Sequence, residues 1–164
     1  MDSILESDKI MDQIANINQC NDPQQMNKRL CQSSAQSRND ETVMYIIVNS
    51  DLKMGKGKIA GQSCHSACRM TRIIENLEKH SDIYDIWVLN FEPKIVLRAT
   101  QKQMEEWINL YNIKDIETTQ RDIWCVYTRD IGRTQIEQGS LTTICFHPIL
   151  RVDTPEFIKN LKLV

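Results

Sequence analysis

Residues 43–61 read Val43-Met44-Tyr45-Ile46-Ile47-Val48-Asn49-Ser50-Asp51-Leu52-Lys53-Met54-Gly55-Lys56-Gly57-Lys58-Ile59-Ala60-Gly61. The first six are apolar without alternation, the pattern of a strand buried on both faces. Asn49-Ser50-Asp51 ends the run. From about Lys58 to Lys79 the residues Ile59, Ser63, Ala67, Met70, Ile74 and Leu77 recur every three or four positions and mark the inner face of a helix. The joint between them is rich in Gly and Lys, with Gly55 and Gly57 read as turn residues and Gly61 as part of the first helical turn. No acid occurs between Asp51 and Glu75, whereas Lys53, Lys56, Lys58, Arg69 and Arg72 all fall in that interval. A glycine turn admits close backbone approach, and a helix start offers unpaired N–H donors, so this joint suits an anion as well as it suits a solvated loop. The strict phosphate-loop pattern is missing, because no Ser or Thr follows Gly57-Lys58, and this disfavours a nucleotide triphosphatase.

Working outward, Lys94–Ala99 reads as a second strand, Ile123–Tyr127 as a third and Leu141–Phe146 as a fourth. Thr100 caps a helix over Gln101–Tyr111 that turns Met104, Trp107, Ile108 and Tyr111 inward. Ser81 is a candidate cap for a short helix reaching Trp87, and Tyr84, Trp87 and Phe91 are expected to cover the edge of the core. Asp153-Thr154-Pro155-Glu156 opens a last short helix. Alternating strands and helices indicate an α/β domain, with the first two strands parallel across a helical crossover. Functional connections in such domains leave the C-terminal ends of strands. The Lys53–Lys58 joint is one. The polar segment Thr128–Ser140 is the other, with pairing of Asp130 and Arg133 on the surface as its plain alternative.

The 164 residues suffice for one domain with a sizeable core, and a net charge of −2 gives no global sign of nucleic-acid binding. Residues 1–42 hold seven acids against four bases and are rich in Asn, Gln, Asp and Ser. They are read as a flexible polar extension, and residues 43–164 as the functional domain. No apolar run approaches the ~20 residues that span a bilayer. With no signal peptide visible, the six cysteines are read as thiols rather than a disulfide framework, and the protein as cytoplasmic. Cys64 and Cys68, one helical turn apart beside His65, lack a CxxC pair and are read as small buried thiols rather than metal ligands. His65 fits a hydrogen-bonded structural histidine better than a catalyst.

Two blocks then become specific. Met54-Gly55-Lys56-Gly57-Lys58-Ile59-Ala60 with Gln62 and His65, and Asp130-x-Gly132-Arg133-Thr134-Gln135-Ile136 with Gly139-Ser140, together with the terminal Leu161-Lys162-Leu163, resemble the archaeal/eukaryotic-type (type 2) peptidyl-tRNA hydrolases over about residues 43–164. The resemblance implies a single α/β domain whose four-stranded mixed sheet is flanked by helices on both faces. It implies hydrolysis of the ester between a peptide and the 3′ ribose of tRNA, with no metal and no cofactor. It places the catalytic positions on Lys58, Asp130, Thr134 and Thr142. Lys53, Lys56, Gln62, His65, Arg69 and Arg133 are the substrate-binding candidates, and Arg72 is a further phosphate contact. Peptidyl-tRNA is the expected partner, no membrane is expected, and a homodimer is compatible with the sequence. The runner-up is a non-catalytic tRNA- or RNA-binding module on the same fold. Four local departures accompany the resemblance. Ser63-Cys64-His65-Ser66 stands where Cys-Ser-His-Ala is usual, Ile131 replaces a small residue, Gln138 a common proline, and Phe91-Glu92 a Gly-Gln pair.

Direct attack by water is the simplest chemistry for these residues. No serine occupies a Gly-x-Ser-x-Gly elbow, and adjacent Cys64 and His65 on a helix point apart. Asp130 is expected to orient or deprotonate the water, Lys58 to stabilise the oxyanion, and Thr134 and Thr142 to hold water or substrate.

Overall fold

The computed structural model describes residues 41–77, 82–112, 123–132 and 136–164. Most of the expected N-terminal extension, the candidate cap Ser81, and Arg133 and Thr134 lie outside those residues. In chain order the described elements are β1 (Thr42–Asn49), α1 (Lys56–Glu75), α2 (Asp82–Leu89), β2 (Lys94–Ala99), α3 (Gln101–Tyr111), β3 (Cys125–Arg129), β4 (Leu141–Phe146), β5 (Ile149–Leu150), a 3-10 turn (Arg151–Asp153), α4 (Glu156–Lys159) and β6 (Lys162–Leu163).

β1 is buried at all eight positions, which requires neighbours on both edges and cover on both faces. The sheet order β3-β4-β1-β2-β6 supplies the edges, with β5 also pairing β1. β1 runs parallel to β2, from Met44 opposite Lys94 to Asn49 opposite Ala99. It runs antiparallel to β4, with Ile47 opposite Ile144. The mixed α/β class is therefore as expected, but the sheet has six strands where four were expected. The two extra strands are two residues each, too short to leave a periodic signal.

Alternation along β1 supplies the two faces. Val43, Tyr45 and Ile47 pack with Met104 and Trp107 of α3 and Ile158 of α4. Met44 and Ile46 pack with Ala67, Met70 and Ile74 of α1 and Tyr84 and Trp87 of α2. Each fully buried side chain of this size contributes roughly 1.5–3 kcal/mol. α3 starts as expected: Thr100 accepts from the Gln103 amide while the Gln103 side chain returns to the Thr100 N–H, a capping box that satisfies two otherwise unpaired donors.

Three local readings change. β3 lies two residues further on than expected, because pairing with β4 carries it to Arg129. α1 begins at Lys56, so Gly57 lies inside the helix, and it ends at Glu75 with Leu77 beyond it. Phe91 does not cover the core: it is 63% exposed. The chain leaves α2 with the Phe91 N–H bonded to the Val88 carbonyl and the Glu92 N–H to the Trp87 carbonyl. This is a helix stop that favours glycine, yet Phe91 holds φ 64. A side chain in the left-handed region costs roughly 1–2 kcal/mol, so replacing the usual glycine makes the stop less stable.

Candidate active site

α1 and the segment after β3 converge beyond one end of the sheet. β1 delivers the chain there through Asn49, which is buried. Its side-chain N–H groups reach the Leu141 carbonyl at 2.8 Å and Gln101, and its oxygen accepts from the Asp51 amide at 3.0 Å. One residue thus ties the end of β1 to the start of β4. Nothing in the sequence beyond a polar residue closing an apolar run marks it.

α1 then points Lys58 at Asp130. The Lys58 Nζ lies 2.5 Å from the Asp130 Oδ1. The same carboxylate oxygen accepts from the Gln62 Nε2 at 3.2 Å, and the Oδ2 accepts from the Gly132 amide at 3.3 Å. The Asp130 main chain is held as well, its N–H on the Ser140 carbonyl and its carbonyl on the Gly139 N–H. Asp130 is 4% exposed and the Lys58 side chain 15%. Lys58 holds the Asp130 carboxyl below its ordinary range, with the backbone amides assisting against the opposing effect of burial. At neutral pH the pair is an ammonium on a carboxylate, and the carboxylate is a weaker base than a free aspartate. Among the described residues Asp130 pairs with Lys58; the alternative pairing with Arg133 falls outside them.

Gln62 and Thr142, buried like Asp130, belong to the same network. The Thr142 hydroxyl lies 2.8 Å from the Gln62 Oε1 and 3.0 Å from the Thr128 carbonyl oxygen. It reaches them because the β3–β4 register slips there: Thr128 faces Thr143 and Arg129 faces Leu141, leaving Thr142 as the extra residue of a bulge. The chain of bonds therefore runs from Thr142 through Gln62 to Asp130 and Lys58. Behind it sits a set of hydroxyls that sequence reasoning missed. Ser66, fully buried, bonds Thr128 Oγ1 at 2.8 Å and also Thr143 Oγ1. Its signal was the departure from the usual alanine, which supplies the hydroxyl that joins α1 to both strands.

Not every candidate is in this network. Lys53, on the approach to α1, and Lys56, its first residue, are exposed. Lys53 takes φ 47, so the left-handed residue of the joint is a lysine, while Gly55 is an ordinary extended residue before the helix. His65 is exposed on α1 and is not a core histidine; Arg69, also exposed, donates to the Tyr127 carbonyl at 3.0 Å. Arg133 and Thr134 lie outside the described residues. Cys64 and Cys68, expected to be buried, are exposed, because the inner face of α1 falls on Gln62, Ser63, Ser66 and Ala67. Among the described residues Cys125 and Cys145 are the buried thiols, and burial pushes that of Cys125 up to about 12.

Comparison with known proteins gives consistent matches. The family model "Peptidyl-tRNA hydrolase PTH2" matches residues 42–164. A peptidyl-tRNA hydrolase of Methanococcus vannielii is 33% identical over 120 residues, covering 73% of this chain and 96% of that protein. One of Sulfolobus acidocaldarius is 35% identical over 104 residues, 60% of this chain and 80% of that protein. One of Methanocaldococcus jannaschii is 27% identical over 121 residues, 74% and 98% respectively.

Proposed function

Because the chain belongs to the peptidyl-tRNA hydrolase PTH2 family, we propose how its own residues hydrolyse the ester of peptidyl-tRNA, with Lys58 and Asp130 at the centre. The reaction breaks the bond between the peptide carbonyl carbon and the ribose 3′ oxygen. Water adds to the carbonyl, the tetrahedral oxyanion collapses, and the 3′ oxygen departs carrying a proton that came from water. The products are a peptide carboxylate, a free tRNA with its 3′ hydroxyl and one proton released to solvent.

The observation that carries the assignment is the Lys58–Asp130 contact, with a carboxylate 4% exposed and held below its ordinary range. Such a carboxylate is a poor proton acceptor. Asp130 therefore acts chiefly by fixing the Lys58 ammonium and orienting the attacking water, and Lys58 stabilises the developing oxyanion. Thr142, fully buried, acts through Gln62 by holding its amide against Asp130, and Gln62 acts as a positioning residue rather than a direct contact to substrate. Thr134 orients the water or the ester. Lys53, Lys56 and Arg133 meet tRNA phosphates, which makes affinity salt-dependent. Catalysis resides in the domain that begins with β1 at Thr42. No described helix is long and apolar enough to cross a membrane, and the cytoplasm is the compartment proposed; self-association as a homodimer is read by sedimentation of the full chain.

The test is release of peptide from N-acetylaminoacyl-tRNA by the full chain. Lys58→Ala and Asp130→Asn each lower kcat by about 10²–10³, the usual loss on removing one oxyanion-stabilising group. Full turnover in both variants sinks the assigned roles. A wild-type protein that binds tRNA without releasing peptide favours the binding-module alternative.

A further inference from the structure

We propose that a groove along the exposed side of α1 seats the unpaired 3′-terminal nucleotides of the tRNA and leads them to the Lys58–Asp130 pair. The inference rests on peptidyl-tRNA being the substrate and goes beyond it by assigning one part of that substrate to one surface. The groove has a volume of about 720 Å³ and is lined by His65, Arg69 and Arg72 of α1, by its C-cap Asn76 and by Thr128 of β3, together with the apolar Ile73 and Leu77. Steps of four, three and four residues put His65, Arg69, Arg72 and Asn76 on one stripe of the helix, roughly 17 Å long at 1.5 Å per residue. This volume is that of a site for a drug-sized ligand, so it suits one or a few nucleotides of single strand and falls far short of a duplex stem.

Charge selects the nucleotide side of the ester rather than the peptide side. The lining carries two guanidinium groups and an imidazole, with no carboxylate among its described residues. A phosphodiester repeats at every step of the tRNA strand, whereas a peptide carries no obligatory anion. The arginines are also held in place. One arm of Arg69 donates to the Tyr127 carbonyl of the edge strand β3 at 3.0 Å, and Arg72 Nε donates to the Cys68 carbonyl at 3.2 Å. A guanidinium fixed through one N–H keeps a planar fork ordered for phosphate and loses less entropy on binding. Arg72 in the last turn of α1 also offsets the carbonyl end of the helix, which would otherwise repel anions.

The groove adjoins the catalytic network at Thr128. Thr128 lines it, and the Thr128 carbonyl accepts from Thr142. Lys58 and Gln62 precede His65 on the same helix by two turns and one. With the ester at Lys58, the nucleotides extend along α1 towards Asn76, and the peptide leaves in the other direction.

The experiment compares wild type with R69Q/R72Q in the full chain on three substrates: N-acetylaminoacyl-tRNA, the same ester on a 3′-terminal trinucleotide, and the same ester on adenosine. On tRNA and trinucleotide alike, KM rises about tenfold or more in the double variant. The slope of log(kcat/KM) against log[salt] becomes shallower by about 1.4 for two lost single-strand phosphate contacts. The penalty shrinks on the adenosine ester, which has no phosphate. A penalty on tRNA that vanishes on the trinucleotide assigns the arginines to the duplex stem and overturns the proposal. No penalty on either, with wild type active, overturns it while leaving the hydrolase reading intact and pointing the groove at a different partner. A wild type that splits none of the three sinks the hydrolase reading itself, and the groove assignment with it. Both arginines are exposed, so the variant folds.

Discussion

The two connections that meet at the site are built to opposite specifications. The joint between β1 and α1, with the first turn of that helix, carries the charge and little else. Lys53, Gly55, Lys56 and Gly57 are exposed, and a Cβ built on Gly57 meets nothing within 4 Å. The segment after β3 is tightly determined. Asp130 is bonded through its N–H, its carbonyl and both carboxylate oxygens, and Gly132 holds φ 79 with a Cβ position only 2.7 Å from Gln138 Cβ and 3.1 Å from its Cα. Polar character alone would put both segments in one category. One delivers a cation and tolerates change; the other fixes the anion that aims that cation, and tolerates little.

Three measurements break or sharpen this contrast, beyond the catalytic substitutions already described. The largest effect is expected on the rigid side. Gly132→Ala combines a left-handed backbone with a contact against the Gln138 main chain, and should cost about 2–3 kcal/mol in chemical denaturation, with a parallel loss of kcat. A neutral result would mean the loop is as compliant as the joint. Next comes pH. The Asp130 carboxyl sits below its ordinary value of 3.8, so the pair's contribution is complete above that value and is lost as pH falls through the lower, folded value. The kcat/KM profile should show no acid limb from Asp130 down to about pH 5, and a limb near pH 6 that disappears in Asp130→Asn would contradict the ion pair. The smallest effect belongs to the compliant side. Gly57→Ala, inside a helix with open space around it, should raise stability by about 0.5–1 kcal/mol with kcat/KM retained. A tenfold fall in kcat/KM would instead show that substrate backbone approaches Gly57 closely.

Much of the fold was legible because burial writes itself into long elements. The apolar runs at Val43–Val48, Lys94–Ala99 and Leu141–Phe146 each became a strand, and the Thr100 cap started its helix. What escaped was set by partners distant in sequence. β3 slid to Arg129 because hydrogen bonds to β4 outweighed the local preference of Ile123 and Trp124. Gly57 looked like a turn residue because glycine is common there, yet the helix had already begun. At the site, the chemical groups were named through family resemblance, not spacing: nothing local in Lys58 or Asp130 says that they touch across 72 residues. Ser66, Thr128 and Thr143 were invisible because a hydroxyl has no periodic signature until its neighbours are known. Phe91 was misplaced because an aromatic before proline resembles core, whereas the backbone stop of α2 turns it outward.

The order of the strands also governs when the protein acquires its activity. β1 is made first, but its antiparallel neighbour is β4, nearly a hundred residues later, and Asp130 and Thr142 arrive only with that last part. Contacts so distant along the chain form late and together. During its own synthesis this polypeptide is esterified to tRNA and so is chemically a peptidyl-tRNA. The sheet order delays the meeting of Lys58 and Asp130 until the segment after β3 has been made, so a short nascent chain carries no assembled Lys58–Asp130 pair.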